Sequence, residues 1–155
     1  MDSGEVRKRL DSALAQLVDR DRHLLENNLS ERCIAARLAM HLQNLFDDLS
    51  VDAEYNRQGG EPKKLGLPDE CANKRDEDGK ACVIPDVIIH TRGSEGPNLL
   101  VLELKKTTNP DQGDCDRMRL RAFQAQLHYS YGALIICETP RNHAPKMAVA
   151  DWIEG

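Results

Sequence analysis

The chain has 155 residues, of which 40% are hydrophobic and 30% are charged, and its formal net charge is −5. This length suits one globular domain that buries a core without disulfides or metal. The longest apolar run covers residues 133–137, which excludes a membrane-spanning helix. Five cysteines without short regular spacing argue against a disulfide framework and for a reducing cytoplasm. The negative charge argues against binding nucleic acid over the whole surface.

Two amphipathic helices are predicted in the first third of the chain. The spacing of Val6, Leu10, Leu14 and Leu17 predicts the first over residues 4–20, within an N-terminal segment 1–28. The second begins after Ser30, a good N-cap residue, and runs to about residue 48, with Glu31 in its first turn. Alternating apolar residues over 51–55 then predict a half-buried strand.

A charged stretch divides these helices from the remaining elements. Residues 57–81 hold glycines, prolines and charges of both signs, which predicts a long charged loop. The further predicted elements are strands at 82–91 and 98–106, a helix at 114–131, and strands at 133–138 and 146–154. This order predicts a single α/β domain over 1–155 with a mixed sheet, because adjacent strands form hairpins and the helix makes a crossover.

Two carboxylates interrupt the central strands, Asp86 and Glu103. Burying such a group requires a cation or a functional reason. A hairpin whose turn is centred on residues 94–95 places Asp86 directly opposite Glu103. Lys105 lies two residues beyond Glu103 and therefore on the same face. Hard oxygen ligands at this spacing suit Mg²⁺ or Mn²⁺, although a partly buried ion-pair cluster would have the same composition.

Two further expectations follow from this hairpin. Because Pro85 has no amide donor, we expect a β-bulge at that position, which would re-aim Asp86. Adjacent strand residues point to opposite faces. Lys106 should therefore point away from Lys105 and contact the surface or the backbone.

The central strands carry a proline–aspartate pair and a glutamate–leucine–lysine triplet, Pro85-Asp86 and Glu103-Leu104-Lys105. This pattern resembles the PD-(D/E)XK nuclease superfamily, which has the restriction-endonuclease-like fold. The resemblance covers about residues 30–138. It implies an αβββαβ core with a mixed central sheet flanked by helices, and the N-terminal helix as an addition. It also implies a nucleic-acid partner, DNA more than RNA, and is compatible with a homodimer or a larger complex.

The resemblance also implies a role for each residue of the motif. In that superfamily the acidic pair binds the metal and the lysine assists the attacking water, roles that fall on Asp86, Glu103 and Lys105. The backbone carbonyl of Leu104 would be a further ligand to Mg²⁺ or Mn²⁺. An acidic residue on the preceding helix often completes the site, and Glu31 matches it.

Several other residues are of types that could act in such a site. Gln126 would face the site from the later helix, although tyrosines follow it at three and five residues instead of the four of a QxxxY motif. His90 is predicted to be a core histidine and not a ligand. Cys71 and Cys82 lack the CxxC spacing of a zinc site. The later helix also carries three arginines spread around its axis: Arg117, Arg119 and Arg121.

Three functions remain open on the sequence alone. The first is a metal-dependent nuclease that hydrolyses phosphodiester bonds, which the complete acidic pair and lysine favour. The second is a catalytically silent nuclease-like binding or regulatory module, which the net negative charge favours. The third is an α/β interaction domain in which the carboxylates and the lysine form only an ion-pair cluster.

Overall fold

The computed structural model describes residues 1–58, 61–72, 75–93, 96–111, 113–139 and 143–155. The helices are α1 (Ser3–Arg20), α2 (Arg22–Glu26), α3 (Glu31–Gln43) and α4 (Asp114–Leu127), with a 3₁₀ turn at Asp69–Cys71. The strands are β1 (Ser50–Ala53), β2 (Arg57–Gln58), β3 (Glu61–Pro62), β4 (Lys64–Leu65), β5 (Ala81–Cys82), β6 (Val87–His90), β7 (Asn98–Lys106), β8 (Tyr129–Glu138) and β9 (Lys146–Glu154).

Five of the strands form one mixed sheet in the order β1-β6-β7-β8-β9. Strand β7 pairs antiparallel with β6 and parallel with β8, and α4 connects β7 to β8. The predicted α/β domain with a mixed sheet is therefore confirmed. No helix among the described residues is long and apolar enough to cross a membrane.

Helices cover both faces of the sheet. On one face α1 and α3 pack on alternate strand residues such as Val87, Ile89 and Leu102. On the other face α4 buries Leu120 and Phe123 against the sheet. The predicted apolar stripe of α1 is buried in the same core as α3, so the N-terminal helix is an integral part of the domain.

The start of α3 agrees with its sequence signal and its end does not. The Ser30 hydroxyl accepts a hydrogen bond from the Cys33 amide at 3.2 Å, which confirms the N-cap. The helix ends at Gln43, before the predicted residue 48. The Gln43 side chain donates to the carbonyls of Phe46 and Leu49, and it accepts from the Val51 amide. These bonds stabilise the turn into β1 in place of further helix.

The central hairpin has the predicted register over most of its length. Val87 faces Leu102 and Ile89 faces Leu100, as pairing about residues 94–95 requires. Those two turn residues lie outside the described residues. The predicted bulge at Pro85 is wrong, because the register shifts between Ile89 and His90. Pro85 precedes β6, so its missing N–H interrupts no ladder.

The predicted end of the later helix is also wrong. Helix α4 ends at Leu127, and His128 adopts a left-handed conformation with φ 57°. Residues 129–131 belong to β8, where Tyr129 pairs with Asn98. The Tyr129 side chain is buried against Phe123, so tertiary packing decides the conformation of this segment.

The described part of the stretch 57–81 is more ordered than a structureless loop. Its short strands pair as β2 with β3 and β4 with β5. Opposite charges within it form salt bridges, including Lys64–Asp76 at 2.8 Å. A disulfide joins Cys71 to Cys115 at the start of α4, which the cysteine spacing did not predict. Charge pairing and this covalent bond fix the stretch against α4.

Candidate active site

The candidate site lies where β7 runs past the beginning of β6. The β6–β7 ladder begins at Val87 and Leu102, so residues 103–106 extend beyond it. The Leu104 amide donates to Asp86 Oδ2 at 2.7 Å, and the Lys106 amide donates to Glu31 Oε1 at 3.4 Å. Two carboxylates therefore take the place that carbonyls of a longer neighbouring strand would occupy.

The backbone carbonyl of Leu104 points to the same side of β7 as the Leu104 amide, toward Asp86. The N–H and C=O of one strand residue point toward the same neighbour, and the Leu104 amide points to Asp86. In the register of the hairpin the opposing residue is Pro85, which has no N–H to donate. The ladder therefore leaves this carbonyl free to bind a ligand beside Asp86.

A pocket of about 360 Å³ opens at this position. Its charged lining residues are Glu31, Asp86, Glu103, Lys105, Asp116 and Arg119. Leu104 also lines it, and Val83 and Ile84 form part of its apolar wall. The structure thus brings together every predicted site residue except Gln126.

Gln126 has a different role from the predicted one. Its Oε1 accepts from the Gly66 amide at 2.7 Å and its Nε2 donates to the Gly66 carbonyl at 3.0 Å. These two bonds tie α4 to the chain just after β4. The helical phase of Gln126 directs it to this segment and not to the pocket.

Asp86 and Glu103 form an acidic pair in which Glu103 is only 4% exposed and Asp86 is half-buried. Each carboxyl group lies close enough to the other to alter its pKa. Burial raises the pKa of Glu103 well above its ordinary value, and the charge of Asp86 raises it further. Burial also raises the pKa of Asp86, although the Leu104 amide opposes this shift.

One oxygen of this pair lacks a hydrogen-bond partner. Within the described part of the chain, Glu103 Oε1 is buried without a hydrogen bond, and its ion-pair partner Arg119 Nε lies 3.6 Å away. Buried groups without a hydrogen bond are rare in folded proteins and call for an explanation such as a bound water or ion. The oxygen donors of Glu103, Asp86 and the Leu104 carbonyl are of the type that Mg²⁺ and Mn²⁺ prefer. Among the described residues, no three His, Cys, Asp or Glu side chains are already grouped as a metal site.

Lys105 is nearly buried and fully charged. Its Nζ lies 2.9 Å from Asp116 Oδ2 and 3.5 Å from Asp111 Oδ2. Burial lowers the pKa of Lys105, but the hydrogen bond and charge of Asp116 outweigh burial, so the pKa is raised overall. Lys106 points the other way and donates to the Leu29 carbonyl at 3.2 Å. The predicted opposite orientation of the two lysines is confirmed.

Sequence reasoning missed Asp116 and did not place Arg119 in the site. Asp116 is 2% exposed in the first turn of α4, and its Oδ1 accepts from Arg119 Nη2. A signal was present: Asp116 lies four residues before Leu120, on the apolar stripe that continues to Phe123. An acid on a buried stripe requires a partner, and Lys105 and Arg119 are its partners.

The other candidates have structural roles. His90 is 3% exposed, and its Nε2 lies 2.8 Å from Asp52 Oδ2, which confirms it as a core histidine. Cys71 is bonded to Cys115 and Cys82 is a free exposed thiol, so Cys71 and Cys82 form no zinc pair.

The pocket therefore combines oxygen donors with cations. Carboxylates and the Leu104 carbonyl line it together with Lys105 and Arg119, and Asp116 forms ion pairs with both cations. Such an arrangement suits a hard divalent cation beside a positively charged surface. Comparison of the chain with protein-family models, curated proteins and solved structures finds no match. A function is therefore inferred from the chemistry of this pocket.

Proposed function

We propose that this chain is a metal-dependent nuclease that hydrolyses phosphodiester bonds of nucleic acid, DNA more than RNA, with Mg²⁺ or Mn²⁺. The observation that carries the proposal is the convergence of Asp86, Glu103 and Lys105 on one pocket, in which Glu103 Oε1 lacks a hydrogen bond from any described residue. The order α3-β1-β6-β7-α4-β8 corresponds to an αβββαβ core and supports a restriction-endonuclease-like fold.

Each residue has a distinct part in this chemistry. Asp86, Glu103 and the Leu104 carbonyl would hold the ion, with Glu31 beside them. A bound divalent ion polarises a phosphate oxygen and lowers the pKa of bound water. The Lys105 ammonium, kept charged by Asp116, neutralises charge that develops on the phosphate oxygens.

The raised pKa values of Asp86 and Glu103 link this function to pH. Metal ligands must be deprotonated, so a bound ion would displace any proton that these carboxyl groups carry. The raised pKa of each carboxyl means that acid competes with the metal. We therefore expect metal affinity to increase as the pH rises through these raised values.

A cleavage assay tests the proposal. The protein is incubated with single- and double-stranded DNA and RNA in Mn²⁺, beside Glu103→Gln and, as a matched control, Glu61→Gln on the exposed strand β3. We expect DNA cleavage by the wild type and by Glu61→Gln, and none by Glu103→Gln. Equal cleavage by all three proteins would exclude Glu103 from the chemistry, and no cleavage of any substrate would exclude the nuclease.

One observation favours the catalytically silent module as a second candidate. Lys105 already contacts two carboxylates, Asp116 and Asp111, which reduce the positive charge that a reacting phosphate would meet. A module of this kind would bind nucleic acid in the presence of metal without cutting it. Fluorescence anisotropy with the same panel separates the two candidates, because metal-dependent binding of uncut substrate supports only the module.

A further inference from the structure

On the side of the pocket formed by α4, which we call the α4 wall, one carboxylate contacts two cations, Arg119 of the same helix and Lys105 of β7. Asp116 Oδ2 lies 2.9 Å from Lys105 Nζ, and Asp116 Oδ1 accepts from Arg119 Nη2. One carboxylate carries one negative charge, so it cannot neutralise both cations. Asp111 also approaches Lys105, but at 3.5 Å and with a side chain that is 51% exposed, where solvent screens its charge.

Arg119 retains donors beyond its bond to Asp116. A guanidinium group has five N–H donors in a planar fork. Its contact with Glu103 Oε1 is 3.6 Å long, which exceeds hydrogen-bond length. The side chain is 25% exposed and lines the pocket. A planar fork with open donors beside an ammonium matches the oxygens of a phosphate group.

We propose that Lys105 and Arg119, positioned by Asp116, form a binding site for phosphate oxygens, and that Glu103 competes with phosphate for Arg119. This inference deepens the proposed function by naming the group that the α4 wall binds. Its central claim concerns anion binding by the metal-free protein and can be tested without catalysis.

The competition has a consequence for metal binding. Glu103 faces Arg119 with a negative charge whenever it is ionised and no cation is bound to it. A divalent ion on Glu103 would offset that charge and release Arg119 to the phosphate. Binding of the cation and of phosphate would then each strengthen the other by the same factor.

The test uses inorganic phosphate and titration calorimetry in EDTA at constant ionic strength. At the upper end of a pH series, where Glu103 is ionised, Glu103→Gln removes the competing charge. It should there bind phosphate about tenfold more tightly than the wild type, the factor that one charge-assisted hydrogen bond supplies. Adding Arg119→Gln should abolish this gain. Adding Arg121→Gln, which changes an exposed arginine on the same helix, should leave the gain intact.

A third double variant keeps the test decisive if Arg119→Gln weakens the fold. Combined with Glu103→Gln, Arg119→Lys retains a cation for Asp116 but loses the planar fork. Its phosphate affinity should therefore fall between those of the double variants with Arg119→Gln and Arg121→Gln. The proposal would be overturned if phosphate affinity did not increase in Glu103→Gln, or if Arg119→Gln left it unaffected in the folded protein.

Two other outcomes separate this proposal from the proposed function. Phosphate binding as expected without nuclease activity would overturn only the proposed function. Nuclease activity with unchanged phosphate affinity in these variants would overturn only the anion site.

Discussion

Strand β6 has a cluster of charged residues at each end, and the two clusters differ in how their acids are satisfied. At its carboxyl end, Asp52 Oδ2 lies 2.8 Å from His90 Nε2, and Asp52 Oδ1 accepts from Arg92. We call these three residues the Asp52 cluster. Before its amino end, Asp86 meets Glu103, and Glu103 Oε1 lacks a hydrogen bond from any described residue. The Asp52 carboxylate is satisfied within the fold, whereas the acidic pair is the place where we expect a ligand to bind.

The two clusters should respond to pH in opposite directions. The hydrogen bond from Arg92 lowers the pKa of Asp52, and His90 lowers it further against the effect of burial. The stability that Asp52 contributes is therefore present above its ordinary pKa and is lost as the pH falls through the lowered value. Burial raises the pKa of both Asp86 and Glu103. Their contribution is present below the ordinary pKa and is lost as the pH rises through the raised values.

Replacing Lys105 should have the largest effect if the Glu103 side of β6 is catalytic. Lys105→Ala removes the ammonium that faces the pocket, and we expect the cleavage rate to fall by about 10²–10³. Metal binding should persist because Asp86 and Glu103 remain. Initial rates on the best-cleaved nucleic acid measure the loss.

Lys106→Ala is the matched control for that experiment. Lys106 donates to the Leu29 carbonyl and to Asn28 Oδ1, on the opposite face of β7. Its removal should leave the rate close to that of the wild type and at most weaken binding in a salt-dependent way. If the two variants lost the same fraction of the cleavage rate, the chemistry would not depend on the face of β7 that carries Lys105.

Breaking the Asp52 cluster should affect stability and leave the chemistry unchanged. Asp52→Asn removes the charge that His90 and Arg92 face, and we expect a loss of about 1–3 kcal/mol in the free energy of unfolding. Urea denaturation at pH 7 measures it, with the exposed Asp48→Asn as control. If the cleavage rate per folded molecule fell as steeply as in Lys105→Ala, the Asp52 cluster would also act in the chemistry, and the two clusters would not differ in function.

Replacing Glu103 should stabilise the metal-free protein. Above the raised pKa values of Asp86 and Glu103 the wild type holds two charged acids together against burial and mutual repulsion, and Glu103→Gln relieves both. In that pH range we expect a gain of about 1 kcal/mol, which corresponds to a Tm increase of about 2–4 °C. The variant should also lose most of the decline in stability that the wild type shows as the pH rises through those values, and Mn²⁺ should no longer raise its Tm. A lower Tm in EDTA at the upper end of that pH series would show that Glu103 has a purely structural partner.

The sequence predicted the Glu103 side of β6 well because that prediction depended on local rules. Strand alternation and a symmetric turn placed Asp86 opposite Glu103, and adjacent positions separated Lys105 from Lys106. The contribution of α4 depended on tertiary contacts instead. Asp116 reaches Lys105 across the crossover, and Cys115 reaches Cys71 across 44 residues of sequence separation. The end of α4 was misplaced for the same reason, since pairing with β7 draws Tyr129 into β8.

The smallest effect is expected at Gln126, the predicted site residue that the structure places outside the pocket. Its two hydrogen bonds to Gly66 lie at the protein surface, where water replaces them when the side chain is removed. Gln126→Ala should therefore cost only about 0.5 kcal/mol and leave cleavage unchanged. Hydrogen exchange offers a sharper measurement, because the Gly66 amide should lose protection while the Leu104 amide, bonded to Asp86, keeps it. A cleavage rate that fell as far as in Lys105→Ala would instead place Gln126 in the chemistry, and would mean that the segment after β4 belongs to the active site.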